Sequence, residues 1–347
     1  MNKRPPRSGE KVEKIQNTLL VDGNALFKTG FFGAKDEYNS NGKHIGGVYQ
    51  FLTMLRKLLT EDLYHRVYVF WDGEYSGLLR YQIYEPYKSD RGKDYINGTK
   101  PIDVSEMEQI MMIWNYLDEM YVRQLRNNII EGDDFIAYYC LNKKPNEKIT
   151  ICTNDTDMAQ LINEDVRIYY LHLKNYVDKA NFSSYFCYIP ENAALIKGMI
   201  GDTADSIKGI KGLGIKTLVT LFPMLTERKV VINEIIEDAK RQQEERIVEK
   251  KKPLMVLTNI VDCVTTGVQG NKLYEINDKL VNLKNPLMTE EGIEQLKQLT
   301  EGSLNFTDRE LKAVFKMMEK DGLDKKIGDY RYPDYLVPFK KLISREK

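Results

Sequence analysis

The chain is poor in the residues that build the commonest metal and covalent sites. Its four cysteines, Cys140, Cys152, Cys187 and Cys263, are far apart and form no CxxC pair. That spacing argues against a zinc ribbon and a disulfide scaffold and suits a reducing cytoplasm. Only three histidines occur, His44, His65 and His172, all outside the acidic motifs described below; they read as structural or surface residues. No run of about 18 apolar residues free of charge is present, so membrane insertion is not expected. The opening residues MNKRPPRSGEKVEKIQN are basic without an apolar core behind them; they lack a secretory signal's centre and read as a flexible extension over 1–17. No G-x-x-x-x-G-K-[ST] loop exists to cradle a nucleotide, against an ATPase or kinase. Net charge is lacking too, with 51 basic and 51 acidic side chains. Taken alone this disfavours a nucleic-acid binder, unless carboxylates gather in one site and cations along one surface.

Short β-rich runs recur at Thr18 to Val21, Val67 to Trp71, Asn128 to Ile130, Lys148 to Thr153 and Val166 to Leu171, separated by helix-like stretches. That alternation predicts an α/β fold with a central, mostly parallel twisted sheet flanked by helices. Ile45, Val48, Phe51, Leu52, Leu55, Leu58 and Leu59 recur at the spacing of a helix packed on a sheet. Asp103 or Ser105 can cap a further helix running through Ile110, Ile113 and Leu117. After about residue 190 the pattern becomes helical and glycine-broken. Glu234 to Lys252 reads as an exposed helix, and Thr307 with Glu310 as a capping box opening a C-terminal helical lobe. The expected division is therefore an α/β domain over 18–190, with a substrate segment at 73–100, and a helical region over 191–347.

Successive strand ends carry acids. The first runs into Asp22-Gly23, the second into Asp72-Gly73, the third into Glu131-Gly132-Asp133-Asp134 and the fourth into Asn154-Asp155-Thr156-Asp157. A further pair, Asp202 and Asp205, lies in GDTAD. Each alone reads equally as an ordinary turn or helix cap. Together they sit where open α/β sheets bind ligands. Two carboxylates about 4 Å apart repel by roughly 4 kcal/mol at an effective dielectric near 20, so a fold gathering many of them needs cations. An all-oxygen set free of histidine selects Mg2+ or Mn2+ over zinc. Two such ions suit in-line phosphoryl displacement.

Two segments look fit to handle a polyanion. Between Gly73 and Lys100, Arg80, Lys88, Arg91, Lys93 and Lys100 are interleaved with five tyrosines; cations grip phosphates and rings stack on bases, although a solvated tyrosine-rich loop has the same composition. Its departure from the Asp72 strand end favours a gate over the site. The second is IKGIKGLGIKT at 207–217, a glycine-rich hairpin entering a helix, with Lys208, Lys211 and Lys216 around Gly209, Gly212 and Gly214. Exposed N–H groups there suit backbone phosphates.

Over roughly residues 18–225 these motifs resemble the 5′-nuclease superfamily of flap endonucleases, polymerase-associated 5′ exonucleases and phage RNase H. The most specific are EGDD at 131–134, TNDTD at 153–157 and GDTADSIKGIKGLGIKT at 201–217. The resemblance implies that Asp22, Asp72, Glu131 and Asp133 surround one metal, and that Asp133, Asp155, Asp157, Asp202 and Asp205 surround another, with Asp134 behind them. It implies an arch helix over Tyr87 to Arg91, in which Lys88 and Arg91 contact the scissile phosphate and Tyr87 stacks on the terminal base. Gly209 to Thr217 would be the helix-three-turn-helix clamp on duplex phosphates, its carbonyls holding K+. Lys28 stands where the family commonly has an arginine. LYEINDKLV at 273–281 looks most like the phage RNase H branch. The implied activity is metal-dependent cleavage near 5′ ends of branched DNA or RNA–DNA hybrid by a cytoplasmic monomer, with a sliding clamp or single-strand-binding protein as partner. Two rival readings stand beside it: a PIN-like ribonuclease, which would not require the 201–217 segment, and a DNA-structure binder without turnover.

Overall fold

A computed structural model of the chain describes residues 15–34, 37–91, 104–120, 122–265, 273–302, 311–328 and 332–345. The Thr307–Glu310 capping box, Asp103, most of the N-terminal extension and the segment from 92 to 103, with Lys93 and Lys100, lie outside the described residues. So does the side chain of Arg91.

Six strands, β1 (Gln16–Asp22), β2 (Arg66–Asp72), β3 (Arg123–Asn127), β4 (Glu147–Thr153), β5 (Val166–Tyr170) and β6 (Asn175–Val177), form one sheet in the order β3-β2-β1-β4-β5-β6. All pairings are parallel except β5 with β6. From β1 the chain builds outward to β2 and β3, then returns to the other side of β1 with β4. The sheet's switch point thus lies between β1 and β4, where open sheets of this kind bind ligands. The third strand is not at Asn128–Ile130. It is Arg123–Asn127, sequence RQLRN, an edge strand whose half-buried, polar side chains give no apolar run to read. Glu131 consequently opens a helix instead of ending a strand.

The helices of the first half are α1 (Gly23–Gly33), α2 (Gly46–Glu61), α3 (Leu78–Ile83), α4 (Val104–Glu119) and α5 (Gly132–Leu141). α2 buries Val48, Phe51, Leu52, Leu55, Leu58 and Leu59 against one face of the sheet, its stripe matching the helical period. α5 covers the other face through Phe135, Ile136 and Ala137. Beyond residue 190 follow α6 (Ala193–Ile200), a two-strand hairpin of β7 (Gly201–Asp202) and β8 (Ile207–Lys208), and α7 (Ile215–Leu221), α8 (Ile232–Val248), α9 (Met255–Thr265) and α10 (Leu273–Val281). α6 to α9 share a separate core around Met199, Leu218, Phe222, Ile235 and Ile260. α8 is the charge-dense helix and buries only Ile235, Ile236 and Ala239.

The last helices are α11 (Glu290–Glu301), α12 (Leu311–Asp321), α13 (Asp324–Ile327), α14 (Tyr332–Tyr335) and α15 (Val337–Arg345). They do not form a lobe of their own. Leu296 of α11 joins the α5 face, while Val314, Met318, Leu336, Phe339 and Leu342 complete the α2 face. Arg56 of α2 donates to the Tyr335 carbonyl at 2.9 Å. The expected boundary at 190 therefore precedes a separate core formed by α6 to α9, but the expected helical region over 191–347 is not one packing unit, because the chain's last helices return to the sheet. Among the described residues, no helix is long and apolar enough to cross a membrane.

Because Phe339 is fully buried in the α2 face, Phe339→Ala is expected to cost about 3–5 kcal/mol, read as a lower urea midpoint. A change below about 1 kcal/mol would show that the C-terminal helices add little to the core.

Candidate metal centre and nucleic-acid interface

The ends of β1, β2 and β4 and the first turn of α5 bring their acids to one cavity of about 420 Å³. Each acid is set by its local turn. Asp22 caps α1, accepting the Ala25 N–H at 2.9 Å, and its other oxygen accepts the Thr153 hydroxyl at 2.9 Å. Asp72 accepts the Gly132 N–H at 2.8 Å, which ties β2 to the start of α5. Asp155 accepts the Asp157 N–H at 2.7 Å, and Asp202 the Ala204 N–H at 2.8 Å. The turn-and-cap reading of these residues is thus correct in itself, and it aims the carboxylates at the same space. Asp22, Asp72, Glu131, Asp133, Asp155, Asp157, Asp202 and Asp205 all line the cavity; Asp134 lies behind it, 1 % exposed.

Crowding raises their proton affinity. Burial, with the charges of Asp72 and Asp155, pushes Asp22 up to about 6 despite its two hydrogen bonds. Burial and four neighbouring carboxylates, Asp155 foremost, push Asp133 well above the usual range. Burial and Asp155 push Asp157 up to about 7, although Lys197 opposes them. At Asp202 burial is the largest single influence and raises the carboxyl, but the bond and charge of Lys197 together with the Ala204 and Asp205 N–H groups outweigh it, and the carboxyl is lowered.

Three cations of the chain answer this charge. Arg80 is buried, donates to Glu131 at 2.6 Å, to Asp134 at 3.0 Å and to the Leu280 carbonyl at 2.8 Å. It is therefore no phosphate-gripping residue of a mobile segment; its guanidinium is spent inside the fold. Lys88 is ion-paired to Glu131. Burial disfavours its ammonium, but Glu131, Tyr87, Asp205 and Asp72 outweigh burial and hold the amine well above its ordinary range. Lys197 bridges Asp157 at 2.7 Å and Asp202 at 2.9 Å. Among the described residues no three acidic, histidine or cysteine side chains meet in ligand geometry; Glu131, Asp157 and Asp202 are held by these lysines and Arg80.

Lys197, Arg80's inward role and Thr153 were not read from the sequence as parts of the site. The one available signal for Lys197 was a lone cation in the otherwise apolar helix AALIKGMI, directly before Gly201-Asp202.

The expected arch helix is corrected as well. Tyr87 to Arg91 form a turn and a single 3-10 turn, Ser89–Arg91, and Lys88 has a φ of 55°, which a helix cannot accommodate. Nor is the Tyr87 ring presented for stacking on a base. It is 2 % exposed, packs with Ile207, Leu280 and Val281, and its hydroxyl donates to Glu131 at 3.0 Å. Lys28 is exposed on the cavity wall.

After Asp205 the chain runs through β8 and a turn into α7, and its residues alternate by side. Ile207, Ile210, Leu213 and Leu218 are buried, whereas Lys208, Lys211, Gly212, Gly214, Lys216 and Thr217 are exposed. Close backbone approach demands glycine at two points. A Cβ on Gly201, whose φ is +71°, would lie 2.4 Å from the Gly209 nitrogen, and one on Gly209 would lie 2.0 Å from the Ile200 oxygen. Asn277 of α10 donates to the Gly198 and Lys208 carbonyls at 2.9 and 2.8 Å, fixing the hairpin beside the acids. The histidines are structural: His65 accepts the Asn17 N–H, His44 bonds the Ala34 carbonyl and Gln109, and His172 bonds Asn154.

Strand-end carboxylates over a parallel sheet, continuous with a lysine- and glycine-rich hairpin, define an acid-site α/β protein of the resolvase-like kind. Residues 17–186 match the family model of the 5′-3′ exonuclease N-terminal, resolvase-like domain. Among curated proteins, a 5′-3′ exonuclease of Buchnera aphidicola is 27% identical over 224 residues, covering 64% of this chain and 71% of the relative. The thermostable DNA polymerase I of Thermus caldophilus is 30% identical over 205 residues, 58% of this chain. The chain spans 23% of that polymerase's length. Among solved structures, a T5 5′-exonuclease bound to zinc superposes with a TM-score of 0.62 at 16% identity, covering 82% of this chain and 99% of that one. A bacteriophage T5 flap endonuclease solved with DNA and metal ions gives 0.61 at 16% identity, covering 82% of this chain and 98% of that one. Residues 17–186 of the chain thus belong to the 5′-3′ exonuclease N-terminal, resolvase-like domain family.

The raised carboxyls have a consequence for the metal-free protein. Asp22 at about 6 and Asp157 at about 7 bind protons more tightly folded than unfolded, where the value is 3.8. The stability this provides is complete below the unfolded value and is lost as pH rises through 6 to 7. Chelator-treated protein is expected to melt at a lower temperature near pH 8 than near pH 5, and Asp157→Asn to flatten the decline. A melting temperature that climbs over this interval would contradict the assignment.

Proposed function

We propose that the chain is a divalent-metal-dependent 5′-3′ exonuclease and 5′ flap endonuclease. It would hydrolyse phosphodiesters at 5′ ends and junctions of DNA or RNA-primed DNA, as in primer removal during replication or repair. The observation that carries this reading is the meeting of eight carboxylates and the Lys88 ammonium over one cavity at the sheet's switch point. The phosphate-binding hairpin follows directly in the chain.

The donor set fits hard divalent cations: it is all oxygen, and its buried acids carry charge that the chain's own bases do not fully offset. We assign Asp22, Asp72, Glu131 and Asp133 to one Mg2+ or Mn2+ ion, and Asp133, Asp155, Asp157, Asp202 and Asp205 to a second. Bound there, the pair would supply an activated water and stabilise the leaving oxygen of an in-line displacement. Asp134 holds Arg80, and Arg80 in turn orients Glu131. Lys88, with Arg91, neutralises charge developing on the scissile phosphate. Tyr87 keeps the Lys88 segment seated through its buried ring. Lys28 meets the substrate at the open side of the cavity. Lys208, Lys211, Lys216 and Thr217, with the backbone around Gly209, Gly212 and Gly214, grip duplex phosphates, and carbonyls of this hairpin suit K+. The T5 relatives solved with zinc, and with DNA and metal ions, support the same ligand classes here.

Cleavage of 5′-labelled flap, nicked-duplex and RNA-primed substrates, with and without Mg2+, tests the proposal. Asp155→Asn and Asp202→Asn are expected to lose more than the roughly 100-fold that outlying partners of a metal site contribute, with DNA binding retained. Full activity in both variants, or binding without cleavage by wild type on every substrate, would refute it. Lys88→Ala should lower kcat far more than it raises KM, because its contact strengthens in the transition state. An effect confined to KM would remove Lys88 from the chemistry.

A further inference from the structure

The segment carrying Lys88 is fastened to the last carboxylate turn by bonds that the site itself does not use. The Lys88 N–H donates to the Asp205 carbonyl at 2.9 Å. Two residues on, the Asp90 N–H donates to the Ser206 hydroxyl at 3.3 Å, and that hydroxyl donates back to the Asp90 carboxylate at 3.1 Å. Both ends of this contact hold left-handed backbone on non-glycine residues, φ 55° at Lys88 and 60° at Ser206. L-residues keep that conformation only where the surroundings enforce it. On the N-terminal side the enforcement is the Tyr87 ring, seated on Ile207, Leu280 and Val281.

We propose that Ser206 is a positioning residue for Lys88: its reciprocal pair with Asp90 pins the backbone C-terminal to Lys88 against the Asp202–Asp205 turn. With the chain held on both sides, the lysine stem can leave Glu131 and sweep the space above the carboxylates while the segment stays in place. Ordering the backbone before substrate arrives removes an entropic cost from the reactive geometry. The proposal rests on the role given above to Lys88.

Ser206→Gly isolates the hydroxyl, since glycine accepts φ near +60° without strain; Asp90→Ala removes its partner. Each is expected to lower kcat on a 5′-flap substrate roughly five-fold, the worth of an ordinary hydrogen-bond pair, with KM within about two-fold. The double variant should be no worse than either single one, as for groups acting as a unit. Ser206→Asn, which tolerates left-handed backbone and keeps a donor and an acceptor, should restore wild-type turnover. A second readout needs neither metal nor substrate: trypsin should cut after Lys88 and Arg91 faster in Ser206→Gly than in wild type. Unchanged tryptic rates, or a kcat raised by Ser206→Gly, would overturn the proposal. Normal turnover in Lys88→Ala, with faster tryptic cutting in Ser206→Gly, would overturn the role of Lys88 and leave the pinning itself upheld.

Discussion

Eight carboxylates and four cations face one cavity, and the architecture around it follows from holding that charge together. Repulsion among buried acids would drive them apart or neutralise them by protonation, and the upward shifts of Asp22, Asp133 and Asp157 record that pressure. Arg80, Lys88 and Lys197 oppose it from three different elements: a helix after β2, the turn that follows it, and α6. The site is consequently an electrostatic junction between parts of the chain far apart in sequence. Arg80 alone joins α3, the start of α5 and the end of α10.

That junction also links the two regions of the fold. The Leu280 carbonyl that receives Arg80 belongs to α10, whose Asn277 fixes the hairpin, and Gln160 behind the site donates to the Val281 carbonyl at 2.8 Å. α10 thus anchors the lysine- and glycine-rich segment beside the acid cavity.

Lys88 and Lys197 have a double character. Each sits on carboxylates proposed above as ligands of a divalent ion, so each stabilises the acid cluster and would have to yield or share if such a cation were bound. Their long, flexible stems make that exchange feasible without moving backbone. A guanidinium in a fixed fork, as at Arg80, is suited to the opposite task of holding Glu131 and Asp134 still.

Asp22, Asp72 and Asp155 were legible in the sequence because each lies in a local signal after an apolar strand, an Asp-Gly turn or an Asx cap, and the recurrence implied convergence. The helix over 46–61 and the lysine–glycine hairpin were legible for the same reason: period and turn chemistry are short-range. Edge strand RQLRN was not, since an edge needs no apolar run, and the return of α12 and α15 to the sheet left no mark on local composition. Nor could spacing reveal that Arg80 points inward, that Tyr87 is buried, or that Lys197 bridges Asp157 and Asp202. Those outcomes depend on which charges meet across long sequence separations. The sequence by itself determined which acids could converge and, for Asp22, Asp72 and Asp155, the strand ends that bear them; only tertiary structure decided that Glu131 opens a helix and which cation each carboxylate holds, because ion pairing in a buried site is set by distance and desolvation, which no local pattern encodes.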